Sequence, residues 1–169
     1  MIIGNGDIAQ ILTDREGFIF FASGVSNSRE KRESEYDREI KLLLQQDKSK
    51  HLVYFSSLRV FSEDDRYTQH KRQMENIVKV NFPHYTIVRI GNIDLGANPN
   101  TIINYLRNRV SNGDPLEIQD TFRYVVGMEE FLYWIDLIPC WSCEVNIPGE
   151  RLTIKEIVNK YVYPRTDSK

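Results

Sequence analysis

Met1-Ile2-Ile3-Gly4-Asn5-Gly6-Asp7-Ile8-Ala9 decides how the rest of the chain is read. A short apolar run ends in the pattern G-x-G-x-x-A, and Ile8, Ile11 and Leu12 continue at helical spacing. In a strand–turn–helix unit the first glycine permits the tight turn, the second lets a pyrophosphate approach the backbone, and the small Ala9 permits close helix–sheet packing. Free N–H groups at the helix start then face the anion. A plain glycine turn ending a strand is the structural alternative. The acidic residue that usually follows about 20 positions later, and binds the adenosine ribose, has no counterpart. Ser23–Asn27 carries no carboxylate, Glu16 comes too early, and Glu30 lies in a polar tract.

Working outward, the sequence predicts strands at Met1–Ile3, Phe18–Ala22, His51–Phe55, Tyr85–Ile90 and Glu144–Ile147. The three after the first are nearly continuous in apolar residues, as in strands covered on both faces. Amphipathic stretches alternate with them. Tyr36, Ile40, Leu43 and Leu44 mark one helix face, and Ser62 or Asp65 caps a helix running to about Val80. Asn98-Pro99 predicts an N-cap before Ile102, Ile103 and Leu106. A further helix is expected near Met128–Leu137, and Thr153 with Glu156 forms a capping box before Ile157, Val158 and Tyr161. Ser26–Glu35 reads as a loop leading into a helix. The alternation predicts an α/β domain with a mostly parallel, five- or six-stranded sheet flanked by helices. No repeat or linker interrupts it, so residues 1–169 are expected to form a single domain.

The 169 residues suit one compact domain, and 22 basic against 24 acidic side chains give a net charge of −2. That balance supplies no electrostatic footprint for nucleic acid or an anionic membrane. No apolar run approaches the roughly 20 residues of a membrane-spanning helix, and Met1 is not followed by a basic segment and signal-like core. Two cysteines exclude a disulfide scaffold and predict a reducing, cytoplasmic setting.

The chemistry-bearing residues fall in mid-chain. The strand at His51–Phe55 ends in Ser56-Ser57, and Tyr67, Lys71, Met74 and Val78 share one stripe of the helix that follows. A lysine in an apolar stripe is costly without a partner, and Tyr67, one turn earlier, together with a bound ligand would supply one. A free tyrosine, with a pKa of about 10, is a poor base at neutral pH. A neighbouring ammonium favours the phenolate, and a shift of about three units corresponds to roughly 4 kcal/mol. Tyr67 would then exchange a proton with a sugar hydroxyl or carbonyl while Ser57 hydrogen-bonds the same oxygen. Lys71 snorkelling from a core-facing helix is the structural alternative.

Other constellations read as structural. Cys140-Trp141-Ser142-Cys143 follows Pro139, precedes a strand and has no second ligand pair, so it is expected to be a buried structural pair. His51, His70 and His84 show no metal-ligand spacing. Basic residues in Ser28–Arg38 alternate with glutamates as on a solvated face, and Arg107 and Arg109 read the same way, with a diphosphate contact as the alternative. Tyr124, Phe131, Tyr133 and Trp134 are expected in the core.

Taken together, these segments resemble the extended short-chain dehydrogenase/reductase family, the NAD-dependent sugar-nucleotide epimerases and dehydratases. The likeness spans nearly the whole chain. It rests on Gly4–Ala9, Phe18–Ala22, the Ser56-Ser57-Leu58-Arg59-Val60-Phe61 stretch, Tyr67 and Lys71 followed by Glu75, Arg89-Ile90-Gly91-Asn92 through Gly96, and Asn146-Ile147-Pro148-Gly149 before Leu152-Thr153-Ile154. The resemblance implies a Rossmann-like domain, truncated because the second and third strands are missing, with remaining strands in the order 1-4-5-6-7 and the first at an edge. It implies NAD or NADP as cofactor, held by Gly4, Asn5, Gly6, Asp7, Ile8, Ala22, Ser23, Gly24 and Lys71. Tyr67 would be the acid/base, Lys71 its tuner and ribose contact, and Ser57 the carbonyl orienter. The implied substrate is a nucleotide-linked sugar or related small carbonyl. A homodimer through Tyr36–Gln46 and Asp65–Val80 is also implied. A catalytically inactive relative serving as a binding or assembly module is the rival expectation. A third keeps the phosphate turn for a mononucleotide or sugar phosphate.

Overall fold

A computed structural model describes residues 1–116, 118 and 120–163. The elements run β1 (Ile2–Ile3), α1 (Asp7–Ile11), β2 (Phe18–Phe21), α2 (Glu33–Leu44), β3 (His51–Ser57), α3 (Arg66–Asn81), β4 (Tyr85–Ile90), β5 (Asn92–Ile93), α4 (Ile102–Ser111), β6 (Phe122–Val126), α5 (Met128–Asp136), β7 (Cys143–Ile147), β8 (Glu150–Thr153) and α6 (Ile154–Ile157). Five strands form one sheet in the order β1-β2-β3-β4-β7, every neighbouring pair parallel. The fold is Rossmann-like and α/β, with β1 at the edge as the family resemblance implies.

The continuous apolar strands cover both faces by alternation. Ile19, Phe21, Leu52, Tyr54 and Ile87 point to one layer, where Leu43 of α2 and Met74 and Val78 of α3 meet them. Phe20, Val53, Phe55 and Val88 point to the other, against Leu12 and against Phe131 and Ile135 of α5. Each such side chain, fully buried, contributes about 1.5–3 kcal/mol. Helix α3 starts where Asp65 and Thr68 exchange bonds in a capping box, so Asp65 rather than Ser62 is the cap.

Four expectations are corrected. The helix expected after Asn98-Pro99 begins three residues later, because the Asn98 side chain closes a turn onto the Asn100 N–H and Thr101 caps the Asn104 N–H instead. The cysteines are not a buried pair: Cys140 is exposed, Cys143 is half-buried, and both are free thiols, because the segment after α5 runs over the surface before β7 begins. Of the four aromatics expected in the core only Phe131 is buried, since Tyr133 and Trp134 lie on the outer side of α5 and Tyr124 on the outer face of β6. A second, three-stranded sheet, β5-β6-β8, has no counterpart among the predicted strands. It packs Val125 and Leu152 against Ile103 and Leu106 of α4 and Ile154 and Ile157 of α6. Its strands are short and carry polar residues between the apolar ones, so the sequence holds no continuous run to mark them.

No helix among the described residues is long and apolar enough to cross a membrane.

Candidate active site

Parallel strands present their carboxyl ends on one side of the sheet, and ligands of open α/β sheets bind there. A cleft of about 420 Å³ lies along these ends. Its walls come from the turn after β1 (Asn5, Gly6, Asp7, Ile8), the segment after β2 (Ala22, Ser23, Gly24), the end of β3 (Ser57), and Tyr67 and Lys71 of α3. Every predicted site residue except Gly4 is among them.

Gly4 stands behind the wall and shapes it. Its φ is +128°, and a Cβ there would lie 2.4 Å from the Ala22 carbonyl oxygen, so only glycine lets β1 turn this close to β2. Gly4→Ala is expected to destabilise the fold by about 1–3 kcal/mol through strain and overlap, read as a lower urea midpoint at unchanged m. At Gly6 a Cβ would meet nothing within 4 Å, leaving the open cradle that a phosphate needs. The Asp7 carboxylate does not face that cradle alone. It accepts the Ala97 and Asn98 N–H groups at 3.2 and 3.1 Å, fastening the turn to the loop before α4.

Lys71 is where the structure departs furthest from expectation. Its ammonium, on a side chain 3% exposed, donates to Glu39 Oε1 at 3.2 Å and to the Tyr54 hydroxyl at 3.1 Å. The partner expected from Tyr67 and a ligand is therefore supplied by α2 and β3. The Tyr67 ring centre stands 5.8 Å from Lys71 Nζ. Glu39, fully buried, also accepts from Tyr54 Oη at 2.8 Å, from His70 Nε2 at 3.0 Å and from the Val25 N–H at 2.7 Å. Burial pushes this carboxyl up, but the Lys71 charge and the bonds from His70 and Val25 outweigh it and hold the pKa down at about 2. Burial and the adjacent Glu39 charge push the Tyr54 phenol well above its ordinary value, so it remains a neutral donor. Gly24 closes the cluster from the cleft side, since a Cβ there would lie 2.7 Å from Lys71 Nζ and 2.9 Å from Glu39 Oε1.

Tyr67 is different. Its ring is 9% exposed and lines the cleft, yet among the described residues its hydroxyl has no hydrogen-bond partner. The Arg59 guanidinium lies 5.7 Å from its ring centre. Ser57 ends β3, and its Oγ accepts the Arg59 N–H at a long 3.3 Å, which leaves the hydroxyl proton free to turn to a ligand. Sequence reasoning misses Glu39 and Tyr54, and also Arg38, which lines the cleft and donates to the Ser23 hydroxyl and carbonyl oxygens, each at 3.2 Å. Glu39 does carry a signal: it falls between Tyr36 and Leu43 on the apolar face of its helix, where a carboxylate needs a buried partner.

The motif-matched Glu75 and Arg89 are structural instead. Arg89 clamps Glu75 through two bonds of 2.9 and 2.6 Å, and Ser56 Oγ donates to the same carboxylate at 2.6 Å, tying α3 to β3 and β4. His51 bonds Thr86 Oγ1 at 2.8 Å on the opposite end of the strands, away from the cleft.

No protein-family model matches the chain. No curated protein matches its sequence either. Solved structures do. WbmG from Bordetella bronchiseptica, in complex with NAD and UDP, superposes with a TM-score of 0.64 at 17% identity, over 87% of this chain and 56% of that one. UDP-glucuronic acid 4-epimerase from Bacillus cereus, in complex with a fluorinated UDP-sugar and NAD, gives 0.66 at 13% identity, over 83% and 57%. dTDP-glucose 4,6-dehydratase from Bacillus anthracis, in complex with NAD, gives 0.62 at 16% identity, over 84% and 56%. The chain thus spans little more than half the length of these proteins. It has the Rossmann-like fold of these sugar-nucleotide epimerase and dehydratase structures, each solved with NAD bound.

Proposed function

We propose that the protein is an NAD(P)-dependent oxidoreductase or epimerase-like enzyme acting on a nucleotide-linked sugar or related small carbonyl. The observation that carries this reading is Tyr67, which lines the cleft together with Ser57 and the glycine turn and whose hydroxyl has no hydrogen-bond partner among the described residues. The fit for a nicotinamide nucleotide rests on the open cradle at Gly6 and on Ala22, Ser23 and Gly24 lining the same cleft. When bound, such a cofactor supplies hydride transfer. The chain's own groups would handle the proton: Tyr67 Oη gives it to, or takes it from, the reacting oxygen, and Ser57 Oγ holds that oxygen in place. Lys71 would act from behind, its charge shared with Glu39 and its position set by Tyr54.

One observation favours the rival reading, a non-catalytic binding or assembly module that keeps the cleft. The Lys71 ammonium is already committed to Glu39 and Tyr54, as a purely structural lysine would be. Titration calorimetry with NADH and NADPH is the direct test. Saturable binding is expected, and none at about 5 mM, weaker than about −3 kcal/mol, removes the redox reading.

A further inference from the structure

Three cations line the cleft, Arg38, Lys71 and Arg59, against one carboxylate among the described lining residues, Asp7. They differ in the donors they have left for a ligand. Lys71 is committed to Glu39 and Tyr54. Arg38 donates from Nε to Glu35 at 3.1 Å and from both terminal nitrogens to Ser23. Asp7 is occupied by the Ala97 and Asn98 N–H groups and does not neutralise the wall.

Arg59 is the exception. Its Nη2 donates to Asp65 at 2.6 Å, while Nε and Nη1 have no hydrogen-bond partner among the described residues. A guanidinium presents five N–H donors in a fixed fork, so much of this one remains for a ligand. Asp65 compensates its charge only in part, because the same carboxylate caps α3 by accepting the Thr68 N–H at 2.8 Å. The side chain is 38% exposed, neither free in water nor sealed in the core. Its place in the cleft is set by the chain. Arg59 lies in the single helical turn Leu58–Phe61, where its N–H is held by Ser57 Oγ, and its guanidinium carbon stands 5.7 Å from the Tyr67 ring centre.

We infer that Arg59 recognises a carboxylate on the reacting sugar, so that the substrate class is a nucleotide-linked acidic sugar such as a uronic acid. This inference rests on the proposed roles of Tyr67 and Ser57 and deepens them by naming the substrate. The reacting oxygen must lie within hydrogen-bond reach of Tyr67 Oη and Ser57 Oγ. A carboxylate on the neighbouring ring carbon is the nearest anion such a substrate can offer there, since its diphosphate is attached at the anomeric carbon. A guanidinium fork matches a carboxylate in the planar two-bond geometry that a neutral hydroxymethyl group cannot provide.

Calorimetric titration of the full chain, in the presence of NAD, with UDP-glucuronic acid, UDP-glucose and UDP tests it. UDP-glucuronic acid is expected to bind about tenfold or more tightly than UDP-glucose. In Arg59→Gln the two dissociation constants should converge to within about twofold, with those of UDP-glucose and UDP unchanged, which also shows that the variant is folded. Arg59→Lys, which keeps the charge and loses the fork, should retain only part of the preference. Equal affinity of the natural protein for the two sugars overturns the inference while the redox reading stands on NADH binding. Loss of UDP affinity in Arg59→Gln at an unchanged urea midpoint also overturns it, because Arg59 would then hold the diphosphate. Binding of none of the uridine compounds overturns the inference, and absence of NADH binding as well overturns both.

Discussion

Glu39→Ala is expected to cost about 3–5 kcal/mol of folding stability, lowering the melting temperature of a chain this size by about 10 °C or more. The size follows from what the carboxylate holds. Its removal leaves the Lys71 ammonium buried without a counter-charge, and it strips acceptors from the Tyr54 hydroxyl, His70 Nε2 and the Val25 N–H. None of these groups can turn to water, because Tyr54 and His70 are fully buried and Lys71 nearly so. His70 would be left worst, since among the described residues its Nδ1 already has no partner. The pH dependence separates charge from shape. Glu39 has a folded-state pKa of about 2, below its ordinary 4.5. A depressed carboxyl contributes stability that is present above the unfolded value and lost as pH falls through the folded one. That contribution, on the order of 3 kcal/mol, should therefore fade between about pH 5 and pH 2. Glu39→Gln keeps the side chain's shape and cannot titrate, so its deficit against the natural protein should shrink over the same window in urea melts. A deficit constant with pH would show that the charge at Glu39 is not what binds the cluster. His51 adds to acid sensitivity in both proteins. Burial lowers its pKa, so the neutral folded imidazole is disfavoured once the pH falls below the unfolded value.

The reach of sequence reading can be traced through the same residues. Strands β2, β3 and β4 are legible because continuous apolar runs have one reading in a parallel sheet, and Asp65 and Thr153 announce helix starts through side chains that satisfy orphan N–H groups. The convergence of Gly6, Ser57 and Tyr67 on one cleft follows from strand order, because parallel strands bring their carboxyl ends together whatever lies between them. Glu39 signals by its place on an apolar helix face that it needs a buried partner, but which partner is illegible. A single carboxylate in an amphipathic helix full of glutamates has no spacing partner in sequence, and its partners Lys71, Tyr54 and Val25 come from three other segments. The β5-β6-β8 sheet is lost to length, since two- to five-residue strands with half-polar faces leave too little period to detect. Asn98-Pro99 misleads because asparagine serves equally as helix cap and turn former, and here the side chain bonds two residues on.

Tyr67→Phe is the substitution that separates an enzyme from a binding module, and its expected effects on turnover and on folding differ widely. In turnover of UDP- and dTDP-linked hexoses with NAD, the variant is expected to lose about 10²–10⁴-fold in kcat, the usual contribution of a positioned acid/base. Folding should hardly change. The ring stays buried and its hydroxyl has no partner among the described residues to abandon, so urea midpoints should agree within about 0.5 kcal/mol. Lys71→Ala cannot make this distinction. It would leave Glu39 as an unpaired buried charge and reduce activity through misfolding alone, whether or not Lys71 touches a ligand. NADH affinity of Tyr67→Phe provides the remaining control. A kcat that falls with the dissociation constant unchanged puts the hydroxyl in the chemical step, since a lost uniform binding contact would instead weaken binding and leave kcat unchanged. Equal turnover in the natural protein and the variant would remove Tyr67 from catalysis. A natural protein that binds NADH and turns over none of these sugars would make the cleft a binding module, with the Glu39–Lys71 cluster as its structural floor.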